Sequence, residues 1–172
     1  MIGVEKDIDL SKSLYEKSGE LGNSMAMNNL AFMYKTGNKI KKDINKAVDL
    51  YEKSSSMGNH TAIYNLACMY EKGTDIEQNI ELAVHLYEKS GALGNSSSVN
   101  NLAYLYENGI GVEKDMEKAI ELYQKASQMG NSRAMCNLAI IYEIGKGVKA
   151  NLEKAIEYCT IFFFFFSLVI HT

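Results

Sequence analysis

The chain repeats itself every 36 residues, and that period constrains its fold more than any other feature. Gly22, Gly58, Gly94 and Gly130 are each followed by an asparagine: Asn23, Asn59, Asn95 and Asn131. The same step joins Asn29, Asn65, Asn101 and Asn137, each preceding Leu-Ala, and then Tyr34, Tyr70, Tyr106 and Tyr142. Gly37, Gly73, Gly109 and Gly145 follow it, as do Ala47, Ala83, Ala119 and Ala155, and Tyr15, Tyr51, Tyr87 and Tyr123. A fixed period of this length is the mark of an array in which each unit buries its apolar face against its neighbours.

Within a unit, apolar residues recur at helical spacing. Ala62, Leu66, Met69 and Tyr70 form one stripe, predicting helix A over about Thr61 to Glu71. A loop of about seven residues carrying Gly73 comes next. Helix B is predicted to start near Asn79, where Asp7, Asp43, Asp115 and Asn151 stand in the sibling units, because Asp and Asn accept an orphan N–H at a helix start. Ala83, Leu86 and Tyr87 are its buried stripe. The Gly-Asn pair closes helix B with a left-handed glycine and caps the next helix A with asparagine. Ala31 and Ala47, with their equivalents, allow close helix crossings. The absence of proline leaves the backbone free to be helical throughout. The expectation is an all-α chain: a partial repeat at 1–22 consisting of helix B alone, repeats at 23–58, 59–94 and 95–130, an incomplete repeat at 131–160, and an apolar tail at 161–172.

The pattern Ala134-x3-Leu138-Ala139-x2-Tyr142-x2-Gly145-x-Gly147-Val148, then Asn151-x2-Lys154-Ala155, resembles the Sel1-like repeat, a relative of the tetratricopeptide repeat. The unit from Ser96 to Asn131 matches best, through Gly109-Ile110-Gly111-Val112, Asp115, Lys118-Ala119, Tyr123 and Lys125-Ala126. The resemblance covers roughly residues 3 to 158. Alanine replaces the family's usual glycine after the helix A leucine, and leucine replaces its frequent tryptophan before the helix B tyrosine. The resemblance implies a right-handed α-solenoid of stacked antiparallel helix pairs, a TPR-like superhelix. It also implies an adaptor that binds other proteins or peptides, with no cofactor, catalytic residue or metal. The alternative it brings is a component of an endoplasmic-reticulum degradation ubiquitin-ligase complex, and a hydrolase is the third.

If the array curves as tetratricopeptide arrays do, one face of helix A lines its concave side. By register the candidate partner-binding residues there are Phe32, Lys35, Tyr64, Cys68, Glu71, Asn100, Tyr104, Glu107, Ile140 and Glu143. Phe32, Cys68, Tyr104 and Ile140 make an apolar line; Lys35, Glu71, Glu107 and Glu143 make a mostly acidic edge. Such a surface suits a peptide with hydrophobic anchors and basic flanks. The alternative is that these residues pack between units. Asn29, Asn65, Asn101 and Asn137 are expected to satisfy backbone groups of the adjoining turns rather than bind a ligand.

Composition narrows the remaining classes. A net charge of −3 with a single arginine, Arg133, leaves no basic face for nucleic acid. Cys68, Cys136 and Cys159 lack the spacing of a disulfide framework or zinc site, and Cys68 and Cys136 are expected to be small buried hydrophobes. The histidines are His60, His85 and His171, and His85 is expected to be exposed. No nucleophile–base, metalloprotease or phosphate-loop motif occurs. Asn59-His60-Thr61 and Asn95-Ser96-Ser97 fit the glycosylation pattern but fall in the tight turns, and their match is taken as coincidental. The N-terminal residues have no apolar run of signal-peptide length, so a cytoplasmic location is expected, with the endoplasmic reticulum as the alternative if a longer native chain carries a signal. Membrane and small-molecule binding are not expected. Residues 3–7 duplicate 111–115, which suggests a fragment of a longer array. The run from Ile161 to Ile170 is too short to span a bilayer and reads as an out-of-family tail prone to aggregation, with a short membrane-associating tail as the alternative.

Overall fold

The computed structural model describes the backbone of residues 2–38 and 40–170 and the side chains of residues 10–38 and 40–161. His171 lies outside the described residues. Among them the chain is helical, with no strand. The helices are α1 (Ile2–Glu20), α2 (Ser24–Thr36), α3 (Ile44–Ser56), α4 (His60–Lys72), α5 (Ile80–Ala92), α6 (Ser96–Asn108), α7 (Met116–Gln128), α8 (Ser132–Ile144) and α9 (Leu152–Ile170). None is long and apolar enough to cross a membrane. The even-numbered helices are helix A and the odd-numbered ones helix B, and each A packs on the following B as an antiparallel pair.

Two compact units divide the chain, Met1–Leu93 and Gly94–Thr172. In the first, α1 packs on α2 and α3 on α4; its core joins Leu30, Ala31, Tyr34, Ala47, Tyr51, Ala62, Leu66 and Met69. In the second, α7 packs on α8, around Val99, Ala103, Ile120, Tyr123, Ala126, Ala134 and Leu138. The repeated small residues are what allow this closeness: Ala31, Ala47, Ala67, Ala83, Ala103 and Ala119 are all fully buried. Helices of 13 residues are marginal in isolation, so their order comes from this mutual burial.

The Gly-Asn corner works through one shared residue. At the end of α3 the Gly58 N–H donates to the Ser55 carbonyl and the Asn59 N–H to the Ser54 carbonyl, the paired bonds of a Schellman stop. Gly58 has φ +80, a conformation that favours glycine. Asn59 then accepts from the Thr61 and Ala62 N–H groups and so starts α4. The same bonds close α1 at Gly22-Asn23 and α7 at Gly130-Asn131. The other glycine position ends helix A: Gly73, at φ +61, caps α4. Beyond each such cap the loop is tied back by one bond, with the N–H of Asp43, Asn79, Asp115 or Asn151 donating to the carbonyl of Tyr34, Tyr70, Tyr106 or Tyr142. Each of these four residues then caps its helix B.

Both terminal helices depart from the expected pattern. Helix α1 runs through Asp7 instead of starting there, since among the described residues no helix A offers Asp7 the carbonyl that ties its siblings into a loop. Helix α9 continues to Ile170, 19 residues against 13 for α3, α5 and α7. Position 166, where the corner glycine would fall, is phenylalanine, and a helix continues where nothing stops it.

Candidate partner-binding surface

Helix A offers its inner face to the core and leaves an outer face to solvent, on which one register position carries a large apolar side chain in three repeats. In the first unit Phe32 on α2 occupies that position and is 51% exposed. In the second, Tyr104 on α6 is 48% and Ile140 on α8 54% exposed. Neighbouring positions on the same helices, such as Ala31, Ala103 and Leu138, are fully buried, so the outward placement is specific to the register. Cys68, the fourth member of the line, is half-buried, with its Sγ 3.2 Å from the Tyr87 hydroxyl. Tyr64 is also half-buried, and its ring lies 6.1 Å from that of Tyr87. His85 is exposed, as expected. Cys136 is exposed rather than buried: Asn100, at the same register on α6, is covered through Asn137 of α8, whereas among the described residues no further helix A lies beyond α8.

The acidic edge turns out to be largely structural. Tyr87 donates its hydroxyl to the Glu71 carboxylate, and Tyr123 donates to Glu107 Oε2 at 2.6 Å. Glu107 Oε1 also receives Lys146 Nζ at 2.7 Å, with only 14% of its side chain exposed. These carboxylates therefore hold helix A to the phenol of its own helix B sixteen residues on. Burial first, and then the bond to Glu107, push the Tyr123 phenol well above its ordinary pKa. The first repeat lacks the pair. Lys35 stands in the glutamate's place, and the Tyr51 hydroxyl is fully buried without a hydrogen-bond partner. Burial, and secondarily the Cys68 thiol, raise the Tyr51 pKa as well. In the last repeat the phenol is missing instead: Cys159 replaces it, and Glu143 is exposed.

Asparagines are the second surprise. Asn100 is 6% exposed, so its expected role at a partner surface gives way to one inside the stack. Asn137 Nδ2 donates to Asn100 Oδ1 at 3.2 Å, and Asn100 Nδ2 to Asn101 Oδ1 at 3.3 Å. An equivalent chain runs from Asn65 Nδ2 to Asn28 Oδ1 at 3.0 Å and from Asn28 Nδ2 to Asn29 Oδ1 at 3.3 Å. The amides thus pair with one another across adjacent helix A segments, not with the backbone of the turns as the sequence suggested. The contact is made possible by an extra asparagine, Asn28 or Asn100, which only alternate repeats carry; Tyr64 and Cys136 stand there in the others. In the second unit the edge of this ladder borders a shallow depression of about 260 Å³ lined by Asn100, Arg133, Cys136 and Asn137. Among the described residues no cluster of His, Cys, Asp or Glu is placed to hold a metal ion.

A family model described as the Sel1 repeat matches residues 2–23, 24–59, 60–95, 96–131 and 132–161, almost the whole chain. Solved structures agree. The chain superposes on a Sel1 repeat protein from Oxalobacter formigenes with a TM-score of 0.80 at 26% identity, covering 92% of this chain and 69% of that one. For c5321, a protective antigen of uropathogenic Escherichia coli with an SLR fold, the TM-score is 0.82 at 25% identity, covering 88% of this chain and 32% of that one. Cysteine-rich protein B of Helicobacter pylori, at 23% identity and a TM-score of 0.61 over 76% of this chain and 94% of that one, shares the fold. No curated protein sequence matches the chain.

Proposed function

The chain belongs to the Sel1 repeat family, whose members generally serve as non-catalytic scaffolds for protein interactions, and we propose that it binds a protein or peptide partner through the outward side of helix A. One observation carries the reading. Phe32, Tyr104 and Ile140 occupy the same register position in three repeats and leave about half of each side chain in water, although the core lies one residue away. Large apolar groups held at the surface in this way are characteristic of recognition sites, and an aromatic anchor is a frequent centre of binding energy. Tyr64 extends the surface in the first unit; Glu143, unlike Glu71 and Glu107, has no phenol to hold and is available to a basic group on the partner.

Affinity capture tests the assignment. The wild-type chain, a Phe32→Ala/Tyr104→Ala variant and a His85→Ala control on an exposed helix B position are compared, with far-UV circular dichroism confirming equal helix content. The double variant should lose partners that the control retains, each anchor removed weakening binding by about tenfold or more. Recovery of the same partners at the same yield by all three would overturn the assignment.

A further inference from the structure

Only one asparagine of the chain is followed by glycine: Asn108, in Asn108-Gly109 at the end of α6. Thr36, Lys72 and Ile144 stand there in the sibling repeats, ahead of Gly37, Gly73 and Gly145. The order of the two residues carries its own chemistry. The backbone nitrogen after an asparagine is placed to attack the side-chain amide carbon and close a succinimide ring. Glycine has no Cβ to block that approach or to limit the backbone angles it needs.

In the folded chain both reacting groups are engaged elsewhere. Asn108 is exposed and helical, and its Nδ2 donates to the Tyr104 carbonyl at 2.8 Å. Gly109 is the C-cap, at φ +69, and its N–H donates to the Leu105 carbonyl. Amide and nitrogen are thus both committed to carbonyls of the last helical turn, and ring closure requires Asn108 to leave helical geometry and break both bonds. Neighbouring contacts oppose that movement. The Ile110 N–H also donates to the Leu105 carbonyl, and the Asp115 N–H to the Tyr106 carbonyl, each at 3.0 Å. Glu107, one residue before the junction, is fixed by the Tyr123 hydroxyl at 2.6 Å and by Lys146 Nζ at 2.7 Å.

We propose that Asn108-Gly109 is a self-modifying site, gated by the last turn of α6. When that turn opens, the Gly109 nitrogen gives up its proton to solvent and bonds to Asn108 Cγ. The Cγ–Nδ2 bond breaks, and the side-chain nitrogen takes up a proton and leaves as ammonia. Water then adds to either carbonyl of the ring and opens it, leaving aspartate at position 108 or the isomer in which the main chain runs through the side chain. The net change is amide plus water to carboxylate plus ammonium. The new negative charge sits at the C-terminal end of a helix, where the macrodipole disfavours it, and beside Glu107, so the opened turn closes less readily than before. It also lies one turn from Tyr104 and, on the reading of Tyr104 as an anchor, alters the charge of that recognition surface. The gating itself does not depend on that reading.

The full chain is incubated at mildly alkaline pH, native and unfolded in guanidinium chloride. Conversion at each asparagine is followed by fragment masses, and the isomer by methylation with an isoaspartyl methyltransferase. In the unfolded chain Asn108 should convert ahead of every other asparagine, including Asn23 and Asn131, which precede serine. In the native chain it should convert at least about tenfold more slowly, because only the opened fraction reacts. Lys146→Ala removes one of the two ties on Glu107 at a side chain 40% exposed. It should raise the native rate by about threefold, the worth of one partly exposed ion pair, and leave the unfolded rate unchanged. Conversion of Asn108 no faster than that of the other asparagines in the unfolded chain would overturn the site. Equal rates in the native and unfolded chain, or a native rate that Lys146→Ala leaves unchanged, would overturn the gate. None of these outcomes bears on partner capture through Phe32 and Tyr104, which the alanine variants test separately.

Discussion

Position 35 carries a lysine where its sister repeats carry Glu71 and Glu107, and the consequence falls on Tyr51. All three phenols are fully buried, but only Tyr87 and Tyr123 have a carboxylate to donate to. A buried hydroxyl left unpaired costs about 1–3 kcal/mol, and a hydrogen bond to a charged group contributes about 1.5–3 kcal/mol. Lys35→Glu supplies the missing acceptor at the register that already works twice in this chain. Ordering the glutamate side chain and adding negative charge to a chain of net charge −3 offset part of the gain. A stabilisation of about 1–2 kcal/mol is therefore expected, which for a protein of this size raises the thermal midpoint by about 2–8 °C. Urea and thermal unfolding followed by circular dichroism at 222 nm measure it. Tyr51→Phe supplies the control: alone it should be neutral or slightly stabilising, because it removes the orphan hydroxyl, and in its background Lys35→Glu should gain nothing. An equal gain from Lys35→Glu with and without the Tyr51 hydroxyl would refute the reasoning, since the benefit would then come from surface charge and not from the pair.

Other perturbations separate packing from backbone effects. Ala103→Leu forces a larger side chain into a fully buried helix crossing and should cost about 1–3 kcal/mol; an unchanged melting curve would contradict the register. Gly58→Ala and Gly73→Ala both place a Cβ at positive φ, at a cost of about 1–2 kcal/mol. Only at Gly73 would that Cβ also meet Gln78 Cβ at 2.6 Å, so urea unfolding should show Gly73→Ala as the more destabilising. Alkali tests the buried phenols. Tyr51 and Tyr123 have folded-state pKa values raised above the unfolded value of about 10, so the stability this protonation lends is complete below about pH 10 and is lost as pH rises through the folded-state values. Their tyrosinate absorbance should therefore appear together with loss of helix, and ionisation of all tyrosines before any helix is lost would contradict it.

The helix pairs, the corner glycines and the helix B caps were legible in the sequence because each depends on residues a few positions apart. The Gly-Asn pair needs only local backbone geometry, and Asp43 or Asn79 needs only the N–H groups that follow it. What escaped depends on how two helices cross. Nothing in the spacing says that Glu71 and Glu107 point at phenols sixteen residues later, so they read as a free acidic edge. Nor does helical period alone say which of Asn100 and Asn101 turns further inward, and Asn100 was misplaced for that reason; Cys136, at the same register on α8, was misplaced because period does not say which helix covers it. The outward position of Phe32, Tyr104 and Ile140 was recoverable, since it follows from the buried alanines beside it.

The corner asparagine closes one helix and opens the next in the same residue, and this has a consequence for how such arrays change length. There is no slack at the joint. One inserted residue would part the stop from the start and rotate everything downstream by about 100° around the helix. The seven-residue stretch inside each pair is not helical and accepts insertions more readily. At the corner the chain grows or shrinks by whole copies, so the number of pairs is free to vary while the stride between them stays fixed.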